Sequence, residues 1–475
     1  MKYEIIIGLE IHAELSTKSK IFCSCTTEFG GEANTHCCPI CLGMPGTLPV
    51  LNRKVVEYAV KAGLAMNCKI EEFSKLDRKN YFYPDLPKAY QISQYNLPIC
   101  RDGYVDIDTG SGRKRIGITR IHIEEDAGKL IHDDESMSSF IDYNRCGVPL
   151  IEIVTEPDLR SSEEAKAFLE SIKAILQYTG VSDCKMQEGS LRADVNLSIR
   201  PVGQKEFGVR TEMKNLNSFR SVVRAIEWEA QRQIEVIESG GSVIQETRRW
   251  DDNTGMSYSM RSKEEANDYR YFPEPDLVPV IIDGKWIEEI KKSLPELPDV
   301  RKKRYMSDYG LPEYDAWILT RSKALSDFFE TAVSKSKNVK AVSNWIMGDL
   351  LRILKEKEME VEDIPFPAEY LARLVDLIDN GTISSTIGKA VFQKMFATGK
   401  EPEVIVKEEG MEVISDETEL NHIVRKIIMN NPQSVADYKN GKQKAFGFLV
   451  GQAMKETKGK GNPKIINKLL KDLLG

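Results

Sequence analysis

Acidic and histidine side chains inside apolar, strand-like segments constrain the fold of this chain more than any other feature of its sequence. They lie in five segments of the first half: Glu10 with His12, His122 to Asp126, Glu152, Asp194 and Glu212. A buried carboxylate costs several kcal/mol unless it is paired or holds a cation. The fold therefore has to bring these groups together and neutralise them.

The strand periodicity gives the cluster a chemical meaning. Alternate residues of a strand point to the same face, so Glu10 with His12, and His122 with Glu124, present an oxygen and a nitrogen side by side. Oxygen-rich sites with few imidazoles suit Mg²⁺, which in enzymes usually binds phosphates. The alternative is a set of structural ion pairs with basic residues, namely Arg78, Lys79, Arg120 and Arg192. For any single carboxylate both interpretations stand, whereas the whole cluster favours metal-assisted phosphoryl chemistry.

Length and composition narrow the class of protein. A chain of 475 residues is too long for one hydrophobic core, so about two to four domains are expected. There is no run of eighteen apolar residues, and Glu4, Glu10 and His12 interrupt the N-terminal segment. We therefore expect neither a membrane span nor a secretory signal, and a cytoplasmic location. The nine cysteines favour reduced thiols and a metal site over a disulfide framework, because their number is odd and they cluster near the N-terminus.

The sequence predicts an α+β fold with a β-rich first part and an almost entirely helical second part. Residues 1–294 mix strand-like runs with a few helices, and the segment from Leu294 to Asp299 ends that pattern. The segment from Gly399 to Pro402 is a second candidate linker. The predicted domains are therefore 1–294, 295–402 and 403–475, of which the last two are all-α.

Helix start and stop signals are clear at several positions. Ser161 and Glu164 form a predicted capping box, and Gly180 supplies the stop. A second helix is expected to begin after Ser218 and to end at Gly240. In the second half, helical spacing predicts helices near 299–308, 313–335, 340–357, 367–379, 384–397, 416–429, 433–439, 442–456 and 463–473.

Two close cysteine pairs near the N-terminus have the spacing of a tetrahedral zinc site. They are Cys23, Cys25, Cys38 and Cys41. Cys37 or His36 could replace one of them, and a set of reduced free thiols is the alternative to a metal site. A site closed by four sulfur ligands is structural, so we expect it to stabilise a small module and to take no part in catalysis.

Two further features indicate phosphate or nucleic-acid ligands. The loop from Asp77 to Gln91 combines cations, aromatic residues and two prolines, which suits phosphates and bases, although an ordinary surface loop can have this composition. From Lys439 to Gly475, nine lysines against two acidic residues give a charge of +7, so residues 1–438 carry −14. A lysine-rich end is a candidate nucleic-acid contact, and a solvated lysine surface is its alternative. No GxxxxGK[ST] phosphate-binding loop is present in the sequence.

Several long motifs resemble one known family. They are Ile7 to Leu15, Asp77 to Gln94, Ile123 to Lys129, Leu150 to Asp158, Tyr269 to Asp276 and Phe446 to Gln452. Together they resemble the B subunit of the tRNA-dependent glutamyl/aspartyl amidotransferase, and the resemblance extends over essentially the whole chain. It implies an N-terminal catalytic cradle domain, a helical middle domain and a tail domain that binds tRNA.

The resemblance implies ATP-dependent amidation of glutamate mischarged on tRNA(Gln), or of aspartate mischarged on tRNA(Asn). The B subunit phosphorylates the side-chain carboxylate, and ammonia that the glutaminase, or A, subunit releases from glutamine displaces the phosphate. The implied partners are the A and C subunits of a heterotrimer and the mischarged tRNA, with the cognate glutamyl- or aspartyl-tRNA synthetase as a further candidate. The implied cofactors are ATP and Mg²⁺. Because members of the family do not all carry the cysteine set, zinc takes no part in the shared chemistry.

The resemblance also implies roles for residues of the acidic cluster and for nearby cations. The expected catalytic residues are Glu10, His12, Lys79, Glu125 and Glu152. The expected Mg²⁺ ligands are His12, Glu124, Glu125, Glu152, Asp194 and Glu212. Contacts with phosphate or substrate are expected from Lys79, Lys88 and Arg192.

Two other functions fit parts of the sequence. A non-catalytic tRNA-binding scaffold would explain the lysine-rich end, but it would leave the buried carboxylates without compensation. An ATP-dependent ligase for a free small molecule would explain the acidic cluster, but it would leave the lysine-rich end without a role.

Overall fold

The structure is a computed structural model that describes residues 2–110, 112–133, 137–262, 269–357, 359–412, 416–457 and 460–474. The chain divides into two compact units, one that ends at Val300 and one that begins at Arg301. The first unit combines sheets with helices, and the second is built from helices. The predicted α+β class is confirmed. None of the helices among the described residues is long and apolar enough to cross a membrane.

Every strand among the described residues belongs to the first unit. Their bounds are β1 (Tyr3–Glu14), β2 (Lys69–Ile70), β3 (Phe73–Ser74), β4 (Asp77–Asn80), β5 (Tyr90–Ser93), β6 (Cys100–Thr109), β7 (Gly112–Glu125), β8 (Lys129–Asp133), β9 (Ser138–Asp142), β10 (Pro149–Thr155), β11 (Leu191–Pro201), β12 (Thr211–Lys214), β13 (Glu246–Asp251), β14 (Met256–Ser262), β15 (Phe272–Pro273) and β16 (Val280–Ile281). Nine of them form one sheet in the order β14-β13-β12-β11-β1-β10-β7-β6-β2. All neighbours in this sheet are antiparallel except β12 and β13.

The helices have the following bounds: α1 (Arg53–Ala65), α2 (Ser162–Thr179), α3 (Phe219–Glu238), α4 (Gly284–Lys292), α5 (Pro298–Tyr309), α6 (Glu313–Leu319), α7 (Lys323–Lys335), α8 (Val339–Trp345), α9 (Leu351–Lys357), α10 (Ala368–Asp379), α11 (Ser385–Thr398), α12 (Pro402–Glu408), α13 (Glu417–Asn430), α14 (Pro432–Lys439), α15 (Gln443–Glu456) and α16 (Pro463–Leu474). A π-helical turn, Ile346–Leu350, joins α8 to α9.

One face of the large sheet forms the hydrophobic core of the first unit. The alternate residues Ile7, Leu9 and Ile11 of β1 are almost fully buried, as are Ile121 and Ile153 of the neighbouring strands. Helices α1, α2 and α3 cover this face with buried apolar side chains of the same cluster. Each fully buried Leu, Ile or Phe side chain stabilises the fold by about 1.5–3 kcal/mol. The opposite face is left for the polar residues of the same strands.

Local signals in the sequence set the ends of α2 and α3. Ser161 caps α2 by accepting a hydrogen bond from the backbone N–H of Glu164 at 3.2 Å, and Gly180 adopts the left-handed conformation with φ of 68°. Ser218 caps α3 in the same way, with an Oγ to N distance of 3.0 Å to Ser221. Both predicted helices are therefore confirmed.

Two predicted helices of the second half are interrupted, and three helices were not predicted. The stretch predicted as 313–335 is two helices, α6 and α7, because Ser322 caps α7 by accepting a hydrogen bond from Leu325 N at 3.2 Å. The stretch predicted as 340–357 contains the π-helical turn. The helices without a prediction are α1, α4 and α12. Asn52 and Asp283, which cap α1 and α4, were available as signals in the sequence.

The described residues of the second unit form two separate hydrophobic clusters. The first reaches from Tyr305 to Val406 and includes the aromatic residues Phe329 and Phe392. The second reaches from Leu420 to Leu474. Ile405 and Val406 of α12 belong to the first cluster, so that helix packs with the helices that precede it.

The packing of α2 on the sheet gives a stability prediction. Phe168 is fully buried, so Phe168→Ala should destabilise the first unit by about 3–5 kcal/mol through lost burial and the remaining cavity. Urea unfolding followed by tryptophan fluorescence measures this change. Phe207 is 59% exposed, and Phe207→Ala is the control, with an expected change within about 0.5 kcal/mol. Equal effects of the two substitutions would contradict the described packing.

Candidate catalytic face and metal centres

The polar face of the large sheet gathers the acidic and histidine residues that the sequence analysis singled out. Strand β1 lies between β10 and β11, and its register places His12 opposite Glu152 on one side and opposite Arg192 on the other. In the next strand, His122 lies opposite Glu152. Glu10 lies opposite Asp194. Residues opposite each other in a sheet share a face, so four strands contribute to one polar surface.

The first group on this face consists of His12, Glu124 and Glu152. Their ligand atoms all lie within 4.8 Å of one another. His12 Nε2 is 3.5 Å from Glu124 Oε1 and 3.4 Å from Glu152 Oε2. His122 adds a second imidazole, whose Nε2 is 3.4 Å from Glu152 Oε2. Carboxylate oxygens and imidazole nitrogens around one point are donors that a divalent cation accepts.

Electrostatics within the first group show that it favours positive charge. Burial would raise the pKa of Glu152, but the charge of His122 and a hydrogen bond with His12 lower it below its usual range. Burial disfavours the protonated form of His12, yet a hydrogen bond to Glu152 and the charge of Glu124 raise its pKa above the usual value. Both shifts have the same cause: the negative carboxylates and a positive charge beside them stabilise each other.

The second group consists of Glu10, Asp194 and Glu212, and their carboxylate oxygens also lie within 4.8 Å of one another. Lys214 Nζ is 2.6 Å from Asp194 Oδ2 and 3.3 Å from Glu212 Oε1. Asn196 donates a hydrogen bond to Glu10 Oε1 at 2.9 Å. Burial, followed by the charges of Glu152 and Glu212, raises the pKa of Glu10. This group is therefore strongly acidic but already holds one ammonium group.

Glu125 belongs to neither group. It is the residue after Glu124 on β7, so the alternation of the strand points its side chain to the other side of the sheet. Lys88 Nζ donates to both carboxylate oxygens of Glu125, at 2.6 and 2.7 Å, and Ile92 N donates to Oε1 at 2.8 Å. Lys88 and Glu125 both line a partly open cavity, which Lys20 and Cys41 also line.

The remaining predicted contacts, Lys79 and Arg192, lie close to the first group. Burial raises the pKa of Glu152, and the two histidines, followed by Lys79, lower it. Lys79 Nζ is 4.9 Å from the ring centre of Tyr269. Arg192 Nη2 donates to Asp126 Oδ2 at 2.6 Å. Both side chains place positive charge beside the first group.

Two segments that are far apart in sequence meet beside these groups. Strand β4 pairs with β15, and Arg78 of the first forms a bidentate ion pair with Glu274 at 2.6 and 2.8 Å. Tyr95 stacks on Tyr271 with a ring-centre distance of 4.4 Å. The aromatic and basic loop from Asp77 to Gln91 is therefore joined to the similar segment from Tyr269 to Asp276.

Several buried polar atoms of this face have no hydrogen-bond partner. Eight such side-chain atoms occur among the described residues, and five of them belong to Glu14, Arg120, His122, Arg192 and Asn196. A buried polar atom without a partner is costly, so native proteins rarely keep several in one place without a ligand. Their concentration on the face that carries both acidic groups indicates that a polar ligand completes it.

Sequence reasoning missed two charged residues of the face. Lys214 lies two residues after Glu212, and Glu14 lies two residues after His12, so strand alternation was the available signal. Burial and the neighbouring Asp126 raise the pKa of Glu14 to about 8. The carboxyl group of Glu14 is therefore protonated more readily than an ordinary glutamate.

The cysteine module shows a separate potential metal site. The sulfur atoms of Cys23, Cys25, Cys38 and Cys41 lie within 4.8 Å of one another, whereas Cys37 and His36 lie outside this group. Cys38 N donates to Cys41 Sγ at 3.1 Å. A hydrogen bond from Cys23, together with Cys38 N and the charge of Lys20, lowers the pKa of Cys41 to about 5. Four converging thiols, one of which is readily ionised, fit structural zinc.

Zinc content tests this site. We expect the purified chain to hold one zinc ion, and Cys41→Ser to reduce the bound zinc at least tenfold because the buried ligand is lost. Elemental analysis after gel filtration measures the metal directly. The matched control is Cys184→Ser, since Cys184 is buried in the main core and outside the cysteine group. Unchanged zinc in the Cys41 variant would exclude this ligand set.

Comparison with known proteins identifies the family. The protein-family model described as GatB/GatE catalytic domain matches residues 5–288, and the family model described as GatB domain matches residues 327–474. The chain is 68% identical over 477 residues to the B subunit of aspartyl/glutamyl-tRNA(Asn/Gln) amidotransferase from Caldicellulosiruptor bescii, covering 100% of this chain and 99% of the relative. It is 62% identical over 474 residues to the protein of the same name from Thermoanaerobacter pseudethanolicus, covering 100% of both. These matches confirm the resemblance seen in the motifs, and the chain belongs to the family of aspartyl/glutamyl-tRNA(Asn/Gln) amidotransferase B subunits, whose catalytic domain it contains.

Proposed function

We propose that this chain carries out the ATP-dependent amidation of glutamate mischarged on tRNA(Gln), or of aspartate mischarged on tRNA(Asn). It would phosphorylate the side-chain carboxylate and replace the phosphate with ammonia from a glutaminase subunit. The observation that carries the proposal is the pair of carboxylate groups on one polar face of the sheet. Purely structural ion pairs would not leave five buried polar atoms of that face without partners.

The chemistry explains why a nucleotide is needed. A carboxylate reacts poorly with ammonia, since oxide would have to leave. When a carboxylate oxygen attacks the γ-phosphorus of ATP, the bond to the bridging oxygen breaks and ADP leaves with the bonding electrons. Ammonia then attacks the carbonyl carbon of the acyl phosphate, the carbon–oxygen bond breaks, and the proton lost by nitrogen is carried away by the released phosphate. Both steps concentrate negative charge that the site must balance.

The residues of the polar face fit Mg²⁺ ions. His12, Glu124 and Glu152 would hold one ion, and Glu10, Asp194 and Glu212 would hold a second. Carboxylate oxygens are the donors that Mg²⁺ prefers, which supports this assignment. Bound Mg²⁺ supplies neutralisation of phosphate charge. Asn196 and Thr247 orient the second group by donating hydrogen bonds to Glu10 and Glu212 at 2.9 and 2.8 Å.

The basic side chains beside the groups would orient the substrates. Lys79 and Arg192 place fixed positive charge beside the first group, where phosphate oxygens would bind. Lys88 and Glu125 act from the other side of β7, at the cavity that they both line. Ammonia has to arrive shielded from water, because ammonium, its main form near neutral pH, has no free electron pair. We therefore assign the delivery of ammonia to the cavity that Lys88 and Glu125 line.

The C-terminal helices would bind tRNA. Helices α13 to α16 present exposed lysines, among them Lys439, Lys444, Lys455 and Lys471. Such a surface attracts the phosphate backbone without reading bases. In this proposal residues 1–294 form the catalytic domain, 295–402 a helical domain and 403–475 the tRNA-binding tail. The A and C subunits of the amidotransferase would be the partners, together with the mischarged tRNA and with the cognate glutamyl- or aspartyl-tRNA synthetase as a further one.

A substitution in the first group tests the enzymatic role. Glu152→Gln should lower ATP-dependent amide formation about 10²–10³-fold, since it removes a charge that holds the cation beside the transferred phosphoryl group. The assay contains this chain, its partner subunits, Mg²⁺, ATP and glutamate-charged tRNA(Gln), with ammonium in place of glutamine.

The control for this assay is Glu163→Gln, because Glu163 is an exposed residue of α2 outside both carboxylate groups. We expect tRNA affinity to be unchanged in both variants. Full turnover by Glu152→Gln, with tRNA still bound, would favour the non-catalytic tRNA scaffold instead.

Salt dependence tests the tail. Replacing Lys444 and Lys455 with Gln should weaken tRNA binding at low salt and reduce the slope of log affinity against log salt by roughly two, about one for each lost phosphate contact. Filter binding at several potassium chloride concentrations measures the slope. The matched control replaces Lys285 and Lys292, which are exposed on α4. Equal slopes for both pairs would refute the assignment of the tail.

A further inference from the structure

Arg120 is the basic residue of the polar face to which no role has yet been given. It lies on β7 opposite Val154, which lies opposite Glu10, so the three residues form one row across the sheet. It precedes His122 by two residues and therefore points to the same face as the first group. Arg120 is partly buried. Burial raises the pKa of the Tyr271 hydroxyl, and the nearby positive charge of Arg120 opposes this rise.

The guanidinium of Arg120 has no partner within the described part of the chain. Its Nε is buried and makes no hydrogen bond, and none of the ion pairs in those residues includes it. Of the other cations of the region, Arg192 pairs with Asp126, Lys214 with Asp194 and Lys88 with Glu125, whereas Lys79 lies over the ring of Tyr269. Arg120 is thus an arginine to which none of the described residues offers an acceptor.

This arrangement is expensive unless a ligand completes it. A guanidinium stays protonated at every accessible pH, so it cannot escape the cost by losing its charge. A partly buried charged donor without an acceptor loses the hydrogen bonds that water would have provided. Arg120 could have been paired by a short acidic side chain on β10, but the opposite residue there is Val154. The fold therefore keeps this donor available for an anion that arrives with a substrate.

The substrates of the proposed reaction limit which anion this is. The amino acid is esterified to tRNA through its α-carboxyl group, so its only carboxylate is the side chain that reacts. ATP brings the phosphate groups. A planar guanidinium offers two parallel donors that match two oxygens of one phosphoryl group. Its position two residues from His122 places these donors beside the group that would hold the cation.

Resting on the proposed function, we infer that Arg120 binds the phosphoryl group that passes from ATP to the substrate carboxylate. While the bond from the γ-phosphorus to the bridging oxygen breaks and the bond to the carboxylate oxygen forms, Arg120 donates to the non-bridging oxygens. It then holds the same oxygens of the acyl phosphate until ammonia displaces phosphate. Arg120 neither gains nor loses a proton in these steps. A backbone phosphate of tRNA would be a different source of the same chemistry, and the test separates the two.

The test compares Arg120→Gln and Arg120→Lys with the unaltered chain, each assembled with its partner subunits. The control is Arg113→Gln, because Arg113 lies on the same strand but is 52% exposed and paired with Asp106. We expect Arg120→Gln to lower kcat/KM for ATP about 10²-fold or more, while KM for the charged tRNA stays within about twofold. Arg120→Lys, which keeps the charge but lacks the fork, should recover part of the loss.

Direct binding separates this inference from the proposed function. Equilibrium dialysis with the Mg²⁺ complex of the non-hydrolysable analogue adenylyl imidodiphosphate should show weaker binding to Arg120→Gln than to the control, at an unchanged melting temperature. No binding by the unaltered chain would overturn the proposed function itself. Unaltered-chain affinity and turnover in Arg120→Gln, or a rise confined to KM for tRNA, would overturn the role of Arg120. A lowered melting temperature in both Arg120 variants, with kcat/KM for ATP unchanged, would show a structural residue and would also overturn it.

Discussion

The register of β1 between β10 and β11 is the constraint on which the rest of the first unit depends. Along this strand Ile7, Leu9 and Ile11 face the core, and Glu10 and His12 face the opposite side. Side chains alternate with a period of two, so a slip of one residue would bury the ionisable groups in the core and expose the isoleucines. The cost of burying unpaired carboxylates and the gain from burying apolar side chains thus select the same pairing. Assembly of the polar face is a consequence of core formation.

The polar face nevertheless keeps charges and polar atoms for which the described residues provide no partner. Carboxylates close together repel one another, and in the first group two imidazoles offset this repulsion only while they are protonated. The atoms without partners on Glu14, Arg120 and Asn196 add to the cost. A fold can keep such groups when the large buried cluster behind the sheet stabilises it sufficiently. The apolar face of the sheet stabilises the fold, and the polar face destabilises it. This combination is usual for a preorganised site.

The sequence predicted those features that local signals determine. Ser161 and Gly180 define α2 within their own neighbourhood, and the alternation of Arg192 and Asp194 with apolar residues identified β11. The pairing of Arg78 with Glu274 depends on chain segments nearly two hundred residues apart, and no local pattern encodes it. The interpretation of Glu125 shows a different failure. Glu124 and Glu125 were both assigned to Mg²⁺, although neighbouring residues of a strand point to opposite faces, and Glu125 pairs with Lys88 instead.

The two carboxylate groups differ in how much positive charge they still need. In the second group the ammonium of Lys214 already lies 2.6 Å from Asp194. In the first, the partners that lie within ion-pair distance of Glu124 and Glu152 among the described residues are imidazoles, which lose their charge when they bind a metal. A cation in the first group would replace protons on the imidazoles, whereas one in the second has to displace or coexist with Lys214. Arg120 lies on the side of the first group, so in the inferred role it would attract phosphate oxygens to that side. In the proposed reaction the transferred phosphoryl group would therefore bind at the His12 end of the face, where Arg120 and a cation held by the first group could both contact its oxygens.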